Sequence, residues 1–210
     1  VIFPFEVDSF SDTDLDTKFV GHPFLQKDYE LPVVFDPNGD ILLLPGSREG
    51  PISRIAPVMF AALELLLEDK GELRARCIYS SSTNRKLLLE LLQRHPSLSG
   101  KVELASNSEK SKTLCVLTSS GTMSLNCALA GVPGAIVYRI HPFTYLLGKL
   151  LLKIPYIGIA NIILDSLMYP EYVQGSAQPE ALKMELLDCI DNPDRVSGAR
   201  KSSEQLRAIL

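Results

Sequence analysis

An α/β domain built on a parallel sheet with helices on both faces is the fold class that this 210-residue sequence predicts. Three observations carry that expectation. Short apolar runs alternate with segments of helical spacing, the runs are apolar at consecutive positions, and the connections are short and rich in Gly, Ser and Pro. Strands of parallel sheets are buried on both sides and therefore read as continuous apolar runs. Alternation of such runs with helical patterns is the mark of βαβ units.

Taken in order, residues 1–40 are rich in Pro, Asp and Gly with only short strand signals (Phe19-Val20 and Val33-Val34-Phe35), and they read as a connector. Ile41-Leu-Leu-Leu44 reads as a buried strand stopped by Pro45-Gly46-Ser47. Pro51 to Lys70 has apolar residues at Ile52, Ile55, Ala56, Met59, Phe60, Leu63 and Leu66, the spacing of an amphipathic helix. Pro51 suits its first turn, where the missing N–H is not needed, and Gly71 stops it. Further along, strands are expected at Arg74–Tyr79, Val102–Ala105, Thr113–Leu117 and Ala135–Tyr138, with helices at Asn84–Arg94 and Met123–Ala130. Pro179–Ile190 and Pro193–Leu210 read as two closing helices.

Composition bounds the function. With 21 basic and 25 acidic residues the net charge is −4, which argues against a protein held to nucleic acid by bulk charge. Four cysteines without CxxC spacing, three of them in apolar stretches, read as buried thiols of a reducing compartment. The charge is segregated: Val1–Glu30 carries seven acids against two bases, whereas Lys110–Leu164 carries five bases and no acid. A long acid-free stretch suits an anionic ligand or surface, and equally a buried core. Within it, Phe143 to Ile159 is apolar but interrupted by Lys149, Lys153 and Pro155, too broken to span a bilayer. Its helical part suits either the core, with lysines snorkelling outward, or a membrane interface.

Two strand-to-helix turns have phosphate-binding character: Pro45-Gly46-Ser47-Arg48 and Ser119-Ser120-Gly121-Thr122. Ligands of open parallel sheets bind beyond the carboxyl ends of the strands. Small residues there admit a ligand to the backbone, and the N–H groups of the following helix face it. Arg48 can add a bidentate contact to phosphate oxygens. Neither turn matches the dinucleotide fingerprint or the GxxxxGK[ST] loop. The three histidines, His22, His95 and His141, each stand before proline and read as structural, and no HExxH or GxSxG pattern occurs.

At these residues the chain resembles the lipid-A-disaccharide synthase family. The strings that carry the resemblance are Phe3-Pro4-Phe5-Glu6, Phe19–Pro23, Leu43–Arg48, Ser120-Gly121-Thr122, Gly131-Val132-Pro133, Val137-Tyr138-Arg139, Pro142–Tyr145, Ile154–Gly158, Asn161-Ile162-Ile163, Pro170-Glu171 and Gln174. Their joint order over nearly the whole chain is more specific than any one of them.

The resemblance implies a GT-B glycosyltransferase with two Rossmann-like domains facing a cleft, of which this chain is the C-terminal, nucleotide-sugar-binding one. It implies transfer of 2,3-diacylglucosamine from UDP-2,3-diacylglucosamine to 2,3-diacylglucosamine 1-phosphate, giving a β-1,6-linked disaccharide and UDP, without a metal or other cofactor. The setting implied is the cytoplasmic face of the inner membrane of Gram-negative bacteria. By the same resemblance, residues 1–25 would be the tail of an N-terminal domain and a linker, 26–175 the Rossmann-like domain and 176–210 C-terminal helices.

Arg48 and the N–H groups around Gly46, Ser47, Ser120, Gly121 and Thr122 would hold the diphosphate. Asn126 would serve the ribose, in the place of a family Glu. Tyr138, Arg139 and Asn161 would line the cleft, and Glu171 and Gln174 would contact the donor. The Phe143–Ile159 segment would face acyl chains or membrane, and no general base is expected in this chain. Two alternatives remain at this level: another UDP-sugar enzyme of the same fold, such as an epimerase, or a non-catalytic membrane-associated module. Apolar surface left by an absent partner domain would also favour self-association.

Overall fold

The structure is a computed structural model and describes residues 1–10, 12–139 and 155–210. Twelve-residue strand β1 (Val33–Leu44) leads into helix α2 (Glu49–Asp69), preceded by the five-residue α1 (Phe5–Ser9). Then follow β2 (Ala75–Tyr79), α3 (Ser82–Leu92), β3 (Val102–Ser106), β4 (Ser111–Thr118), α4 (Thr122–Leu129) and β5 (Gly134–Tyr138). A short α5 (Ile159–Leu164), the three-residue β6 (Glu171–Val173), α6 (Pro179–Asp191) and α7 (Pro193–Ile209) complete the described chain.

The six strands form one sheet in the order β3-β2-β1-β4-β5-β6, and every neighbouring pair is parallel. The strand order reverses direction between β1 and β4, so a crevice opens there at the carboxyl edge. Side chains alternate across this sheet into two cores. Ile41, Leu43, Cys77, Cys115 and Leu117 pack under α2, α3 and α6, while Leu42, Leu44, Val116 and Ile136 pack under α4, α5 and α7. Burial on both faces is the physical reason that these strands read as unbroken apolar runs.

Helix α2 is the one described helix long and apolar enough to cross a membrane, yet nine of its residues, Ile52, Ile55 and Phe60 among them, are buried against the sheet. Each such aliphatic or aromatic side chain contributes about 1.5–3 kcal/mol by leaving water. Pro51 stands in its first turn, as expected, and Gly71 follows its end. All four cysteines are free and buried, and burial pushes the thiols of Cys77, Cys127 and Cys189 up to about 12.

Three elements differ from the sequence expectation. Val33–Phe35 pairs with Ser111–Thr113, so β1 begins eight residues before the apolar run, and Asp36–Gly39 loops out before pairing resumes at Asp40. Asn38 N–H donates to the Asp36 carboxylate at 2.9 Å across this excursion. Gly39 is required there, because a Cβ would lie 2.6 Å from the Lys112 carbonyl. Strand β6 and helix α5 were not separately expected.

Parts of the segment read as a connector are docked on the domain: Phe3, Phe24 and Leu25 pack against the core that holds α4, and the Tyr29 hydroxyl reaches Asn126. Rings of Phe5, Phe3, His22, Phe24 and Tyr29 contact in succession, with centroids 4.5–5.4 Å apart. His22 N–H also donates to the Leu210 carbonyl at 3.1 Å. The strings Pro142–Tyr145 and most of Phe143–Ile159, with Lys149, Lys153 and His141, lie outside the described residues.

Candidate functional site

The ends of β1, β2, β3 and β4 meet around a cavity of about 180 Å³. Its lining includes Gly46 and Ser47 from the first turn and Ser119, Ser120, Gly121 and Thr122 from the second. Both turns singled out in the sequence are therefore brought to one place, flanking the point where strand order reverses.

The backbone of each turn is set by its sequence. Gly46 sits at φ +119°, a conformation closed to side-chain-bearing residues, and a Cβ there would stand 3.4 Å from the Ser119 hydroxyl. Ser119 N–H donates to the Leu44 carbonyl at 2.8 Å, tying the two turns together. The N–H groups of Ser47, Ser120 and Gly121 have no acceptor among the described residues. Gly121 is the N-cap of α4, whose first turn lines the cavity, and Arg48, the N-cap of α2, directly follows the lining residue Ser47. Ser47, Arg48, Gly121 and Thr122 are exposed. Arg48, which follows the lining residue Ser47, is not itself part of the lining, and it has no carboxylate partner among the described residues.

Sequence reasoning missed the opposite wall. Ser80, at the end of β2, and Asn107, at the end of β3, also line the cavity. Behind them Asn84, only 4% exposed, donates to the Ser47 carbonyl and the Ser80 hydroxyl, each at 2.9 Å. Asn84 thereby fixes the first turn from α3. The run of small polar residues from Ser80 to Asn84 directly after a strand was the available signal.

Other expected residues are placed elsewhere. Asn126 does not line the cavity: it is 2% exposed, and its Oδ1 accepts from the Tyr29 hydroxyl at 2.9 Å. Asn161 is fully buried. Its Nδ2 donates to the Tyr169 carbonyl at 2.7 Å and to Glu171 at 2.8 Å, and its Oδ1 accepts from the N–H groups of Met168 and Tyr169. Glu171 accepts from the N–H groups of Ile157 and Gly158. Neither Asn161 nor Glu171 is part of the cavity lining.

Tyr138 ends β5, half-buried, and the Arg139 guanidinium donates to the Ala177 carbonyl. Gln174 opens a single 3-10 turn at φ +52° just after β6. The charge pattern also resolves. Lys110 and Lys112 lie at the amino end of β4, paired with Glu30 at 2.9 Å and Asp36 at 3.4 Å. Those two bases of the acid-free stretch therefore stand at the far end of the strand from the cavity.

A cavity between two glycine turns at the reversal point of a parallel sheet, with free N–H groups on its wall and an arginine next in sequence to one of its lining residues, can hold a dianionic group such as a diphosphate. Comparison with solved structures finds this fold in GT-B glycosyltransferases. The pneumococcal O-GlcNAc transferase GtfA, in complex with UDP and GlcNAc, aligns with a TM-score of 0.57 at 16% identity, covering 100% of this chain and 41% of that one. TarM aligns with a TM-score of 0.57 at 15% identity, covering 98% of this chain and 39% of that one.

Among curated proteins, the lipid-A-disaccharide synthase of Neisseria gonorrhoeae is 33% identical over 230 aligned positions, covering 100% of this chain and 57% of that protein. That of Geobacter metallireducens is 30% identical, with 100% and 57% covered. The chain thus spans somewhat over half the length of these relatives. The family model described as lipid-A-disaccharide synthetase matches residues 1–210. By that match across its whole length, the chain belongs to the lipid-A-disaccharide synthetase family.

Proposed function

We propose that this chain is the nucleotide-sugar-binding half of a lipid-A-disaccharide synthase, a hexosyltransferase. In that reaction the 6-hydroxyl oxygen of 2,3-diacylglucosamine 1-phosphate bonds to C1 of the donor sugar as the bond from C1 to UDP breaks. The cavity between the Gly46-Ser47 and Ser120-Gly121 turns is the observation that carries this reading.

The leaving diphosphate gains negative charge as its bond to the sugar lengthens. N–H groups of Ser47, Ser120, Gly121 and Thr122 and the guanidinium of Arg48 would meet that charge. The N–H groups are fixed before reaction by the backbone of the turns, so little reorganisation is needed when the charge develops. Ser80 and Asn107 would line the remaining wall of the nucleotide site. Asn126, Asn161 and Glu171 serve in this reading as supports behind the site, and no residue here is assigned as general base. Residues 26–175 would form the donor unit, with 1–25 linking it to a further domain, and residues 176–210 closing it. Acylated sugars as both substrates would put the reaction at a membrane surface, in this reading the cytoplasmic face of the inner membrane, where self-association of the chain is an added expectation.

Titration calorimetry of UDP into the chain tests the proposal. Wild-type protein should bind UDP, and Arg48→Ala should weaken binding about ten- to hundredfold, the worth of a charge-assisted contact. Absence of UDP binding, or unchanged affinity in Arg48→Ala, would overturn it.

A further inference from the structure

Glu171 opens β6 at the sheet edge, yet its carboxylate points at backbone. Oε1 accepts from Gly158 N–H at 2.8 Å, from Ile157 N–H at 3.0 Å and from Asn161 Nδ2 at 2.8 Å, and Oε2 accepts from Ile157 N–H at 2.9 Å. The absence of a side chain at Gly158 admits the carboxylate: a Cβ there would lie 3.3 Å from Oε1 and 3.0 Å from Ile136 Cγ1. Bonds from N–H groups to a charged carboxylate are about twice as strong as neutral ones, so they hold this short segment firmly.

Ile157 is gripped from both sides. Its N–H is held by Glu171, and its carbonyl accepts the Ser120 hydroxyl at 2.9 Å. Ser120 lines the cavity, and its own N–H is one of the groups left open to a ligand. An unbroken chain of hydrogen bonds therefore runs from the edge strand through one residue to the second turn.

We infer that Glu171 is a positioning residue: it sets the Ser119–Gly121 turn through Ile157, and does not itself touch the donor. This rests on the reading of that turn as the diphosphate site. It also assigns roles to Gly158 and Asn161, which shape the seat of the carboxylate. Glu171→Gln keeps the volume but presents an NH2 group to N–H donors, so the grip on Ile157 loosens.

The test measures affinity of the 210-residue chain for UDP and for UDP-GlcNAc at 10 °C, with melting temperature alongside. Glu171→Gln should weaken both ligands by the same factor, about tenfold for a displaced binding group. Combining it with Ser120→Ala should add little to the larger single effect, because both break one path. Amide exchange at Ser120 and Gly121 in the ligand-free protein should accelerate in Glu171→Gln. A loss confined to UDP-GlcNAc would mean direct sugar contact, and a lower melting temperature with unchanged affinity and exchange would mean a merely structural role. Either result overturns the inference. Failure of the underlying reading shows separately, as absent UDP binding in the wild-type chain, and overturns both.

Discussion

Replacing Asn161 with alanine removes four hydrogen bonds from a side chain that is 0% exposed. Glu171 keeps its bonds to Ile157 and Gly158, and Met168 N–H keeps the Ser166 carbonyl at 3.2 Å, but the Tyr169 N–H and carbonyl lose their partner. Tyr169 is itself 0% exposed and Met168 7%, so these groups do not reach bulk water. A buried unsatisfied group costs about 1–3 kcal/mol, so these two amount to about 2–6 kcal/mol. That is a large share of the roughly 5–15 kcal/mol by which domains are stable. Urea unfolding followed by far-UV circular dichroism should show a correspondingly lower midpoint with an unchanged slope.

Asn161→Asp separates hydrogen bonding from cavity formation. It retains acceptors for both N–H groups but aims a second oxygen at the Tyr169 carbonyl and the Glu171 carboxylate. It should be as damaging as alanine at pH 7, and should recover relative to wild type at pH 5, where a raised pKa lets protonation restore a donor. A shift worth less than about 1 kcal/mol for either variant at pH 7 would refute the assignment of Asn161 as a satisfied core residue.

Other outcomes follow from the same geometry. Gly39→Ala should destabilise by about 1–3 kcal/mol or more, because the added carbon meets Lys112 backbone at 2.6 Å and must separate β1 from β4; the urea midpoint reports it. Burial lowers the pKa of His22, whose Nδ1 accepts from Phe24 N–H at 3.2 Å, so the neutral ring is the folded form. Its contribution is fully present above the ordinary value of 6.5 and is lost as pH falls from there through the lowered folded value, and His22→Gln should flatten that part of the stability profile between pH 7.5 and 5.5. Native protein should show no fast thiol reaction with a disulfide reagent at pH 8, all four thiols reacting only on unfolding. Asn84→Ala frees the Ser47 carbonyl and should weaken UDP binding with little change in overall shape, as calorimetry and circular dichroism together would show.

The sheet was legible where burial on both faces writes an apolar run: β2, β3, β4 and β5 fall within two residues of expectation. At Val33–Phe35 a short strand signal was visible but was read as part of a connector, because Asp36-Pro37-Asn38-Gly39 breaks the run and only the pairing with β4 shows that one strand continues past it. Strand β6, three half-buried residues at an edge with no periodicity to read, was not legible. The two turns could be found because glycine and serine announce close backbone approach. What a linear sequence does not contain is direction. Asn126, Asn161 and Glu171 are polar in type and were expected to face a ligand, yet their partners are Tyr29, Tyr169 and Ile157, from other parts of the chain. Likewise the acid-free stretch concealed carboxylates that reach Lys110 and Lys112 from residues 30 and 36.

The cavity's open donors include main-chain N–H groups, and this decides where the protein is vulnerable. Exchanging Ser47 or Thr122 for other small residues alters the surface but leaves each N–H where it was. Damage enters instead from behind, at Gly46, Asn84, Gly158 and Glu171, none of which needs to touch a ligand to be indispensable to holding one. Apart from Arg48 and the Ser120 hydroxyl, surface-scanning mutagenesis would therefore pass over the site almost silently, and a search for its weak points should begin one layer beneath it.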